Sequence, residues 1–171
     1  MKEKRGNKRA QQSIGMSFGT IFSIFLIIFF VIIAFFVIRY FLNFQKCAEI
    51  SFFLEDLQDE VDTAWNSEKS EFTFSQNLPS NLEQVCFANL SNPKANSPQE
   101  IYMDIKLYED TNANLFFYPT INACDIPYHF IEHINIDKIT QNANPYCFEI
   151  LKGKVSIDIK KERGESLVDV S

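Results

Sequence analysis

The residues best suited to chemistry by type and spacing are His129-Phe130-Ile131-Glu132-His133. On a helix, positions four apart share a face, so both imidazoles could reach one zinc ion while the glutamate acts on a bound water. The flanks argue for a strand instead, because Ile126, Tyr128, Phe130, Ile134 and Ile136 fall on alternate positions. On a strand the two histidines stand about 13 Å apart at ~3.3 Å per residue, too far for a single metal to bridge. The glutamates left downstream to complete such a site are only Glu149, Glu162 and Glu165. No Gly-x-Ser-x-Gly elbow, Gly-rich phosphate loop or Cys-x-x-Cys pair occurs in the chain. The expectation is a non-enzymatic protein with no catalytic residue, no metal and no cofactor.

Four cysteines, Cys47, Cys86, Cys124 and Cys147, are spaced too widely for a local metal knuckle. An even count favours disulfides if the domain lies outside the cytoplasm, and three full pairings are open. Val85-Cys86-Phe87 and Tyr146-Cys147-Phe148 both read as strand segments that could lie side by side, which favours Cys86 with Cys147. Asn89-Leu90-Ser91 is the one N-glycosylation sequon in the chain.

The elements that must position these residues begin with an apolar run. From Met16 to Ile38 no charged residue occurs, and the isoleucines and phenylalanines of this run point in every direction around a helix. A helix apolar all round is buried in protein or lipid. The remainder is too small and polar to wrap it, so the bilayer is the expected solvent. Ahead of the run, Lys2, Lys4, Arg5, Lys8 and Arg9 against Glu3 give a net charge of +4. From Arg39 to Ser171 the balance is −10, the two together making the net −6 of the chain. Basic residues near a span are retained on the cytoplasmic side, which places the tail inside and the acidic domain outside the cell membrane. A cleaved secretory signal should have a shorter apolar core and a small-x-small site, and none is seen around Ala34, Asn43 or Ala48.

Beyond the span, Phe41, Leu42, Ala48, Phe52, Leu54, Leu57, Val61 and Trp65 continue an apolar stripe at near-helical spacing. Glu49, Glu55, Asp56, Asp59, Glu60 and Asp62 form an acidic opposite side, read as a solvated face. The stripe must pack on the chain's own β domain or on a second copy. After Ser67 the period becomes alternating. Phe72 with Phe74, Leu82–Phe87, Ile101 to Leu107, Leu115–Tyr118 and Ile126 to Ile136 read as strands. Cys147 to Leu151 is expected to form a hairpin with Val155, Ile157 and Ile159 across Lys152-Gly153-Lys154, and Leu167–Val170 reads as a last strand. Ser91–Pro98 is a loop. The predicted class is α+β: a long N-terminal transmembrane helix continuing into a stalk, then a small antiparallel β-rich domain with one core. The predicted segments are a basic cytoplasmic tail (1–15), a transmembrane helix (16–38), a juxtamembrane amphipathic helix (39–66) and an extracytoplasmic β-rich domain (67–171).

Gly15, Gly19 and Ser23 recur every fourth residue, a spacing that lets two membrane helices approach, so a homo-oligomer through the span and stalk is one expected association. The acidic outer domain would repel phosphates, so nucleic acid is not an expected partner. The lipid bilayer and an envelope protein are.

Met16-Ser17-Phe18-Gly19-Thr20-Ile21-Phe22-Ser23, Leu57-Gln58-Asp59-Glu60-Val61-Asp62-Thr63-Ala64-Trp65 and Asn114-Leu115-Phe116-Phe117-Tyr118-Pro119 resemble a group of uncharacterised archaeal single-span proteins. That resemblance implies an archaeal cell-envelope setting and brings no activity with it. The plan of a short basic leader, a long apolar helix and a β head also resembles type IV pilins. By that resemblance a prepilin peptidase would cut after Gly15 and leave Met16 as the new terminus. Bacterial pilins carry a glutamate at the fifth mature position, where this chain has Thr20.

Overall fold

The computed structural model describes residues 14–92 and 99–171, with side chains from Phe18 onward. Residues 1–13 of the basic tail and 93–98 of the expected loop lie outside the described residues. The chain divides into two compact units, Met1–Asn43 and Phe44–Ser171.

The first unit is helical from Ile14 and belongs to α1 (Ile14–Trp65), a helix of 52 residues. Neither Pro nor Gly occurs between Thr20 and Trp65, so nothing in the sequence breaks its hydrogen-bond ladder. Among its described residues the second unit holds the last turns of α1 and seven strands: β1 (Ser70–Asn77), β2 (Gln84–Phe87), β3 (Leu115–Tyr118), β4 (Tyr128–His129), β5 (Tyr146–Glu149), β6 (Lys154–Lys161) and β7 (Asp169–Val170). Two short helices, α2 (Gln99–Ile105) and α3 (Ile136–Ile139), lie between strands. The strands form two antiparallel sheets, one in the order β1-β6-β7 and one in the order β4-β3-β2-β5. The α+β class is as the sequence predicts.

Inside this head, α1 supplies Ile50, Phe53, Leu54, Leu57, Val61 and Ala64 to the main core. They recur at helical spacing and so share one face. They meet Phe74 of β1, Val155, Ile157 and Ile159 of β6, and the inward residues of β2 and β3. The Phe53 ring lies 5.7 Å from that of Phe74 and 5.8 Å from that of Phe117. Each such fully buried side chain stabilises by about 1.5–3 kcal/mol relative to exposure. At the end of α1 three carbonyls of the last turn find partners: Asn66 and Ser67 donate back to Asp62 and Ala64, and the buried Lys161 ammonium donates to the Trp65 carbonyl. A cation there also complements the helix dipole.

Five expectations change. The stripe on α1 holds at Leu54, Leu57 and Val61, which are buried, but Phe52 is exposed, and Ile50 and Phe53 are buried in addition. Ile101 to Leu107 is not a strand but α2 followed by a 3-10 turn, Lys106–Tyr108. Ile101 and Ile105, one helical turn apart, are buried, while Met103 and Leu107 face solvent. That helix covers the outer face of the four-stranded sheet, so Cys86, Ala88, Phe116, Ile101 and Ile105 make a second hydrophobic cluster instead of one core. The run from Ile126 to Ile136 yields only the two-residue β4 before the chain turns, and Ile136 opens α3. Finally, β5 and β6 are not a hairpin. The turn closes through a single Leu151–Lys154 bridge, with Lys152 and Gly153 at φ 54° and 74°, and the two strands then enter different sheets.

Candidate functional site: an apolar helix and a disulfide-closed head

Every described side chain from Phe18 to Asn43 is exposed, and all of the large ones up to Ile38 are apolar. The uncharged run of about 23 residues rises about 35 Å as a helix, against about 30 Å of hydrocarbon in a bilayer. Among the described residues, one helix is therefore long and apolar enough to cross a membrane. At its far end Arg39 and Tyr40 introduce polar groups, with the Arg39 guanidinium carbon 5.1 Å from the centre of the Phe35 ring. An aromatic and a basic residue together suit the headgroup level.

On this helix Gly19 and Ser23 stand one turn apart on one face. A methyl group at Gly19 would meet nothing within 4 Å, and Ser23 Oγ donates to the Gly19 carbonyl at 2.8 Å. The hydroxyl is thus satisfied within its own helix and needs no partner across an interface. Gly15 lies in the first described turn of α1, and its surroundings fall outside the described side chains.

All four cysteines are paired. Cys86 and Cys147 are direct register partners on β2 and β5, bridged with Cα atoms 4.0 Å apart. This is the pairing that their strand contexts predict. Cys47 of α1 is bridged to Cys124, which follows the 3-10 turn Thr120–Asn122, with Cα atoms 5.8 Å apart. Cys124 sits at φ 55°, a left-handed conformation that costs roughly 1–2 kcal/mol for a residue other than glycine. Disulfides of this kind fit an oxidising compartment.

The two histidines of the His-x-x-Glu-His string part company. His129 is an exposed residue of β4 paired with Leu115. His133, at φ 64°, turns onto α1, where its ring stacks on Trp65 at 3.8 Å and 7°. Its Nδ1 donates to Asp62 Oδ1 at 2.8 Å, and the Glu132 amide donates to Gln58 Oε1 at 2.9 Å. The string is therefore neither a zinc-binding helix nor a continuous strand but a clasp between the β4–α3 connection and the last turns of α1. Among the described residues no group of three or more His, Cys, Asp or Glu side chains could hold a metal ion. Asp62, placed on the solvated acidic face from sequence, is thus a bonded residue. Asp56 is another, accepting from Gln76 Nε2 at 2.7 Å.

Sequence reasoning also missed the asparagines that hold the loops. Buried Asn114 exchanges two bonds of 2.8 Å with the Ile131 backbone. Asn144, fully buried, accepts from the Asn89 amide and donates to the carbonyls of Asn89 and Asn92. No local pattern marks such long-range pairs. An open groove of about 620 Å³ runs beside this network, between Asn89-Leu90-Ser91 and a wall that includes Glu109, Asn112 and Phe130.

No protein-family model, curated protein or solved structure matches the chain.

Proposed function

We propose that this chain is a single-pass protein of the cell envelope, with its basic tail in the cytoplasm and its disulfide-closed head outside, acting through protein contacts rather than catalysis. The observation that carries the reading is one chain holding both a helix apolar on every side and a head with two disulfides. The first requires a nonpolar solvent and the second persists where thiols are oxidised. The +4 tail sets the direction of insertion. For protein contacts, the head carries exposed apolar side chains, among them Met103, Leu107 and Ile121. Protease added to intact cells should digest the head while cytoplasmic proteins survive. A head cut only after permeabilisation, or a full-length product recovered from cytosol, would refute the reading.

A second reading is a pilin-like filament subunit, processed after Gly15 and polymerised through its apolar helix. It is favoured by the unbroken course of α1 from Ile14 into the core of the head. Mass spectrometry of the N-terminus from native membranes separates the two, since processing leaves Met16 first and simple anchoring retains the leader.

A further inference from the structure

We infer that Asn89 is a site of N-linked glycosylation whose first sugars occupy the groove beside it. This rests on the extracytoplasmic placement proposed above. Asn89-Leu90-Ser91 lies on a turn closed by the Asn92 amide donating to the Asn89 carbonyl at 3.2 Å. Asn144 fixes that turn through bonds to the Asn89 amide at 3.0 Å and to the carbonyls of Asn89 and Asn92 at 2.7 and 2.8 Å. The acceptor is therefore a half-buried residue of a turn whose backbone is held by hydrogen bonds to Asn144.

The side chain of Asn89 is held in a way that leaves room for the transfer. Its Oδ1 accepts from the Ser91 amide at 3.1 Å. Its Nδ2 donates one hydrogen to Asp137 Oδ1 at 2.9 Å, at an exposed position. Among the described residues nothing else takes the second hydrogen. Transfer from a glycan carried on a polyprenyl phosphate forms a bond between Nδ2 and the sugar C1 and breaks the bond from C1 to the phosphate oxygen. Nδ2 gives up one proton, the carrier phosphate leaves with the bonding pair, and no atom changes oxidation state. The product amide keeps one N–H for Asp137 and an untouched Oδ1 for Ser91. Neither bond of the folded turn need be lost.

The groove of about 620 Å³ begins at this asparagine. Its lining combines polar groups, among them Glu109 and Asn112, with the Phe130 ring, which is 51% exposed. A pyranose has hydroxyls on its rim and an apolar C–H face, and so matches a polar wall with one open aromatic surface.

The test is peptide mass spectrometry of the full-length protein from its native membranes, with protease accessibility of the head measured on the same cells. A glycan mass on the Asn89 peptide, absent in Ser91→Ala and retained in Ser91→Thr, is the expected result. Ser91→Ala leaves every bond of Asn89 in place, so loss of the glycan in that variant does not reflect misfolding, which Asn89→Gln alone could not show. An accessible head with only unmodified Asn89 overturns this inference and spares the placement. An inaccessible head overturns both.

Discussion

Replacing Phe53 by Ala should damage the head far more than replacing its neighbour Phe52, and the contrast measures the rotational phase of α1. Phe53 is fully buried, with the rings of Phe74 and Phe117 at 5.7 and 5.8 Å. Removing a buried phenylalanine costs about 3–5 kcal/mol when the site cannot collapse. Two ring contacts of about 0.5–1.5 kcal/mol each place this site toward the upper end of that range. Against a typical domain stability of about 5–15 kcal/mol the loss is large. Phe52 is 59% exposed, and a surface change of this kind stays within about 0.5 kcal/mol. Urea unfolding of the full chain in detergent micelles, followed by near-ultraviolet circular dichroism, reads both variants. Equal effects, or a greater loss with Phe52→Ala, would sink the core assignment.

Two further outcomes follow from the bridges and the surface ion pairs. The Cys47–Cys124 disulfide closes a separation of 77 residues and Cys86–Cys147 one of 61. In the chain-entropy model these stabilise by about 4.5 and about 4.3 kcal/mol as upper values. Cys47→Ser combined with Cys124→Ser should therefore lower the urea midpoint clearly, and a change below about 1 kcal/mol would contradict that account. The Lys138 ammonium holds the Glu165 carboxyl below its ordinary range, and Lys160, with Lys69, does the same for Glu162. Glu165 raises Lys138 in return, as Glu162 raises Lys160. The carboxylate contribution is present above about pH 4.3 and is lost as pH falls through the lowered folded values. The lysine contribution is present below about pH 10.4 and is lost as pH rises through the raised ones. Stability from these pairs should therefore be flat near neutrality and fall on both sides. Lys138→Met should flatten part of the acid limb, and an unchanged limb would remove Glu165 from the account.

The sequence speaks clearly where one physical requirement acts alone. The apolar run, the absence of Pro and Gly from the helix after Gly19, and the strand contexts of Cys86 and Cys147 are of this kind. It is ambiguous where two periods coincide. Ile101 and Ile105 are four apart, which satisfies both a strand face and a helix face, so only the exposure of Met103 and Leu107 separates α2 from a strand. Phe52 and Phe53 are equally apolar, and local spacing does not choose between them. The turn at Lys152-Gly153 is legible, because Gly suits its left-handed backbone. The divergence of β5 and β6 is not, because Ile150 bonds to Glu83 and Leu78 to Gly153 from distant parts of the chain. The same holds for His133, whose place is set by Trp65 and Asp62 far upstream.

The bridge at Cys47 has a mechanical consequence. Tension arriving along α1 from Phe44 meets this covalent link before it reaches Ile50, the first buried residue of the core. Load passes directly into the connection after β3, so pulling cannot strip the helix from the sheets one apolar contact at a time. Reduction would turn that shared load into a progressive peel, making the redox state of one cystine the determinant of how firmly the head resists force.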